Sequence, residues 1–138
     1  MSMFGLLNFL QNPDDSSVIA DKEDVSRPVR KDPVANNAGH IIDHQNKRVQ
    51  VMHDGTLVAA DGYCGQWMTE IIRQLRGHHE PQEELLFHSV LQYCRPNNYI
   101  IELGAWWAYY TNWYLNSVPN SHAICLEPDP VHRQITEG

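Results

Sequence analysis

Two glutamates each close a short apolar run, Glu102 at the end of YIIEL and Glu127 at the end of HAICLE. Charge at the end of a buried strand is costly without a partner, so both carboxylates are candidates to meet a ligand. Glu127 follows the first run at about the spacing of the acidic residue in a dinucleotide fingerprint, where it accepts both hydroxyls of a ribose. Glu102 is placed to hydrogen-bond an amino or cationic group of the same ligand. Gly104 lets the chain turn sharply out of the strand, and its missing Cβ leaves room for that ligand. Backbone demands alone explain a glycine at such a turn nearly as well.

The loop that follows, GAWWA, departs from a phosphate-binding pattern. The second glycine of a dinucleotide loop lets backbone approach the pyrophosphate, and the third lets helix and strand pack closely. Trp106 and Ala108 occupy those places here. Ala108 still permits close packing, but Trp106 is a poor neighbour for a pyrophosphate. The loop therefore tilts away from NAD and towards a nucleoside without phosphates, such as S-adenosylmethionine.

Other reactive side chains carry less. His78 and His79 suggest a base or a metal pair, but adjacent residues project in different directions, and a helix C-terminus favours histidine on dipole grounds. His40 and His44 have helical ligand spacing but lie in a polar stretch. Cys64, Cys94 and Cys125 form no CxxC or CxxH pattern, so neither zinc nor a disulfide framework is indicated, and reduced thiols point to a cytoplasmic protein. No metal site is expected. The aromatic series from Trp106 to Tyr114 is able to stack on a sugar or a purine. Core is the better reading for all of it except Trp106.

These residues need elements to hold them. Residues 1–47 hold a short apolar start and then a polar, proline-containing segment without hydrophobic period, read as a flexible linker. The apolar start lacks the flanks of a signal peptide and the length of a membrane span. Folded sequence is expected from 48 to 138. RVQVMHDGTLVAAD alternates on both sides of Asp54-Gly55, which predicts a hairpin with a type I′ turn. WMTEIIRQLRG predicts an amphipathic helix on Trp67, Met68, Ile71, Ile72 and Leu75, ended by Gly77 at C′. A second helix opens at Pro81, with Glu83 and Glu84 suited to its dipole and Leu86, Phe87, Val90, Leu91 and Cys94 as its buried face.

YIIEL, the aromatic helix and HAICLE then form a βαβ unit with parallel strands buried on both faces. Pro130 starts a last helix. The class is α/β. Residues 102–107 and 127–130 leave the carboxyl ends of the strands together, where open sheets bind ligands. Ten basic against seventeen acidic residues, with the basic ones scattered, argue against a nucleic-acid partner. Two parallel strands cannot cover six aromatic residues, so the aromatic helix is expected to offer a face for self-association.

IIELGAWWAYYTNWYL and AICLEPDP resemble the first two cofactor-binding motifs of the FkbM-type methyltransferases, and GQWMTEIIRQLRGHHEPQEELLF resembles the segment leading into them. The likeness spans about 48–133, with Trp106 and Ala108 departing from the usual Asn and Gly. It implies a Rossmann-like methyltransferase fold, present as its amino-terminal part: hairpin, two helices and the first βαβ unit. It implies S-adenosyl-L-methionine as cofactor and a small-molecule or glycan hydroxyl as acceptor. Glu102, Gly104 and Glu127 are carried over as cofactor contacts, with Ala105, Trp106 and Pro128 in the same loops and Glu80 lining the pocket. No residue stands out as a catalytic base. Rival readings are a nucleotide-dependent oxidoreductase fragment and a non-catalytic interaction or cofactor-binding module.

Overall fold

The computed structural model describes residues 35–137. The apolar start and most of the linker reading, at 1–34, lie outside the described residues. The architecture is mixed α/β: an antiparallel meander β1 (Ile41–His44), β2 (Lys47–Val51) and β3 (Leu57–Ala59), then α1 (Gly65–Gln74) and α2 (Pro81–Leu91), then β4 (Tyr99–Leu103), α3 (Tyr109–Ser117), β5 (His122–Leu126) and α4 (Pro130–Glu137). Among the described residues no helix is long and apolar enough to cross a membrane.

The folded part starts earlier than expected. β1 lies inside the stretch read as linker, and Ala35 and Gly39 donate backbone hydrogen bonds to His53 and Val51. A boundary at Arg48 would cut β2. His44 is an exposed residue of β1, so the helical spacing of His40 and His44 has no helix behind it. The signal for β1 is weak because its strand holds only two apolar residues, and those are neighbours rather than alternates.

The turns are the reverse of the expected ones. Gln45 and Asn46, with φ of 50° and 64°, join β1 to β2 as a two-residue loop with both residues left-handed, the backbone of a type I′ turn. At Asp54-Gly55 only Gly55 is left-handed, and its N–H donates to Met52 O at 3.0 Å. That is a type I turn closed by a glycine bulge, and Asp54 tightens it by accepting from the N–H and hydroxyl of Thr56.

α1 buries Met68, Ile71 and Ile72 and lays Trp67 and Leu75 against the core, as its period predicts. Its end differs by one residue. Arg76, not Gly77, takes the left-handed C′ place (φ 55°), and Gly77 N–H reaches back to Ile72 O at 2.8 Å in a Schellman pattern. Gly77 is needed for a second reason: a Cβ there would stand 2.7 Å from the carbonyl carbon of Met52.

α2 departs most from its expected face. Pro81 and Glu84 are its buried residues, with Phe87 and Leu91 against the core, while Leu86 and Val90 are exposed. The buried carboxylate of Glu84, bonded to the His79 and Glu80 backbone, holds the helix in that rotation. The aromatic helix α3 is also placed differently. Tyr109, Trp113 and Tyr114 are buried, with Trp107 and Ala108 just ahead of them, and the hairpin loop, α1 and α2 supply the cover that two strands lack. Its face is therefore core, not a surface for self-association. The parallel strands, together with Leu86 and Val90 of α2, carry exposed apolar surface instead.

β4 and β5 pair in parallel, from Tyr99 with His122 to Leu103 with Leu126. Burial on both faces is not what they show. Tyr99, Ile101, Leu103, Ile124 and Leu126 are exposed along one face, and only the alternate residues face the helices.

Candidate functional site

The loops at the carboxyl ends of β4 and β5 are tied side by side. Gly104 and Ala105 donate their N–H groups to Leu126 O at 2.7 and 3.3 Å. Gly104 has φ 74°, and no atom stands within 4 Å of where its Cβ would be, so space is open beside it. Glu127 reaches across from the second loop: one carboxylate oxygen accepts Trp106 N–H at 2.9 Å and the other accepts Asp129 N–H at 2.8 Å. Trp106 (φ 40°) and Ala108 (φ 55°) are both left-handed, which delays the helix to Tyr109. The Trp106 ring stacks on His132 at 3.9 Å between centroids, and its Nε1–H donates to Gly62 O. Ala105 is buried and Pro128 is exposed.

Five of the seven candidate residues thus meet at one end of the sheet. Glu102 does not join them. Its carboxylate accepts both the N–H and the hydroxyl of Thr111, at 3.1 and 2.5 Å, and so satisfies the first turn of α3. Burial pushes the Glu102 carboxyl up from its ordinary range, against the lowering effect of the Thr111 bonds. Glu80 does not join them either. Its Oε2 lies 3.4 Å from His79 Nε2, in a second cluster around Glu84.

That second cluster escaped the sequence reading. Glu84 is fully buried. Its Oε1 accepts from the backbone N–H of His79 at 2.9 Å and of Glu80 at 3.3 Å, and faces His79 Nδ1 at 3.0 Å. Its Oε2 meets His78 Nδ1 in a short contact and His53 Nδ1 at 3.4 Å. The His53 and His78 rings stack at 4.1 Å, and the Tyr109 hydroxyl lies 3.1 Å from His53 Nδ1. Burial disfavours the Glu84 charge, but the bonds from His78 and His79 outweigh it and hold the carboxyl well below the usual carboxylate range. The two adjacent histidines do project differently, as expected, yet both find the same carboxylate, one through each oxygen. His53, in the β2–β3 loop, carried no spacing that would link it to them.

Compared with known proteins, the chain matches no family model, no curated protein and no solved structure.

Proposed function

We propose that the crevice at the ends of β4 and β5 binds S-adenosylmethionine, and that the chain carries the cofactor-binding part of a methyltransferase acting on a small-molecule or glycan hydroxyl. The observation that carries the reading is Glu127, which spans both loops and stands beside the open space at Gly104. A carboxylate has about four acceptor positions. Glu127 uses one on each oxygen for backbone N–H groups, and His132 Nδ1 also stands 3.9 Å from its Oε1, so Oε2 keeps the greater capacity for a ribose hydroxyl. Those same bonds fix its orientation before any ligand arrives, which limits the entropy lost on binding. Glu102, held by Thr111, has no part in this version of the site.

Bound there, S-adenosylmethionine supplies a sulfonium methyl open to attack by a hydroxyl oxygen. The residues described contribute positioning, through Glu127 and the backbone at Gly104. Calorimetric titration of the whole chain tests the reading. S-adenosylmethionine should bind, NAD should not, and Glu127→Ala should lose ~1–3 kcal/mol of binding, the range for a charged hydrogen-bond partner. Equal affinity in Glu127→Ala removes Glu127 from the site; absence of binding to the unaltered chain rejects the proposal in favour of a non-catalytic module.

A further inference from the structure

We propose that His53, His78 and Glu84 form a binding site for one divalent transition-metal ion of the zinc class. The site lies outside the crevice and does not depend on the methyltransferase reading. The donors come from three different places in the chain: the β2–β3 loop, the link between α1 and α2, and the first turn of α2. Their ligand atoms all lie within 4.8 Å of one another. Two imidazoles and one carboxylate are a donor set that zinc and its first-row neighbours favour, with a further position left open.

The surroundings support a ligand role for Glu84. Three nitrogens from His79 and Glu80 face its Oε1, which fixes the carboxylate and leaves Oε2 turned to the two Nδ1 atoms. Metal-bound carboxylates are oriented by such outer hydrogen bonds. His53 is held by the edge-on Trp113 ring at 4.9 Å. The Tyr109 hydroxyl, 3.1 Å from His53 Nδ1, borders the open position. A metal bonded at about 2.0–2.1 Å to each donor keeps neighbouring donors roughly 3 Å apart. The ion therefore takes the place of the proton in the His78–Glu84 contact, that pair parts, and the widest pair closes. His78 is the donor that turns to do so, because its side chain is 14% exposed while those of His53 and Glu84 are 4% and 0% exposed. The same exposure gives the ion its entry path.

The charge balance also favours an ion. Glu84 is fully buried and its Oε2 faces the rings of His53 and His78, and a buried carboxylate is costly unless it is paired. A divalent cation turns that into a compact, coordinated pair. The competing arrangement is a single proton on one histidine, and experiment separates the two.

The test uses the whole chain, stripped with a chelator and titrated with Zn²⁺ and with Co²⁺. We expect one zinc per chain by elemental analysis, a visible Co²⁺ absorption that zinc displaces, and a Tm rise on the order of 10 °C at a hundredfold excess of zinc over Kd. His78→Asn, at the most exposed donor, should weaken binding at least tenfold while the chain stays folded by circular dichroism. His40→Asn with His44→Asn should bind as the unaltered chain does. Absence of stoichiometric zinc, a Co²⁺ spectrum unchanged from the aqueous ion, His78→Asn binding at full strength, or loss of binding in the His40/His44 variant would each overturn the proposal.

Discussion

Three carboxylates divide the work of this chain, and each shows how far a residue can be read before its partner is known. Glu127 and Glu102 look alike in sequence, since both end an apolar strand run. The difference lies in the loop after Gly104. Trp106 and Ala108 take left-handed backbone, the helix starts at Tyr109, and Thr111 then falls at its third position, within reach of Glu102. A run of aromatic residues gave no warning of that delay. Glu84 looked like a residue placed for the helix dipole, because adjacent histidines do not by themselves point to one carboxylate and its third histidine partner, His53, is far away in sequence. A pH prediction belongs here. The Glu102 carboxyl is raised by burial, so the folded chain holds its proton more tightly than the unfolded one. Its contribution is then fully present below the ordinary carboxylate pKa and lost as pH rises through the raised value. Glu102→Gln should keep the Thr111 bonds and abolish that loss. The stability difference, variant minus unaltered chain, measured by urea denaturation, should grow between pH 4 and pH 7 by less than about 1 kcal/mol, because solvent still screens part of the group. A difference that does not change with pH would show the Thr111 bonds cancelling burial, and one that shrinks would show them outweighing it.

Among the elements, α1 was the most legible because a single apolar stripe faces a single core. α2 was the least legible, since apolar residues occupy more than one face and only a polar residue decides which turns in. The ends of α1 give a paired prediction. Arg76 sits left-handed at C′, a conformation that costs a side-chain-bearing residue roughly 1–2 kcal/mol, part of which glycine would return to unfolded-chain entropy. Arg76→Gly should therefore stabilise by ~0.5–1 kcal/mol. Gly77 combines φ 91° with close backbone at Met52 and His53. Gly77→Ala should destabilise by more than ~1 kcal/mol, because strain and overlap add. Urea denaturation of both variants checks the pair, and equal, small effects would mean the Schellman assignment is misplaced. The turns teach the same lesson in reverse. Asp-Gly is the stronger hairpin signal, but Gln45-Asn46 makes the tighter turn because the ladder on each side leaves it only two residues.

At the scale of the molecule, the balance of exposed and covered apolar surface follows the sheet rather than the aromatic helix. The aromatic series is enclosed, with Tyr109 fully buried, while Leu103 is 75% and Ile101 is 62% exposed on a face shared with Ile124 and Leu126. Counting aromatic residues against strands pointed to the wrong face because it gave no weight to the hairpin loop and α1 as cover. Contiguous exposed apolar surface of this kind promotes association. Ile101→Lys with Leu103→Glu should lower self-association, seen as a smaller weight-average mass in sedimentation at matched concentration, and should leave the circular dichroism spectrum unchanged. The same change made at Leu86 and Val90 on α2 serves as the comparison. If that pair, and not the sheet pair, reduces the mass, the sheet face is not the contact.

The register of the two sheets also sets an order in time. Lys47 pairs with His44 across two residues, whereas Tyr99 must find His122 across a whole crossover helix. Closing the longer loop costs more chain entropy before any contact rewards it, so near-neighbour pairings form sooner. The meander with its tight turns is then the early structure, and the parallel pair zips later. The hydrogen bond from Trp106 to Glu127 exists only after that zipping, which makes the ligand crevice the last part to assemble. Pulse-labelled hydrogen exchange during refolding should find the Val51 and Met52 amides protected before those of Gly104 and Trp106.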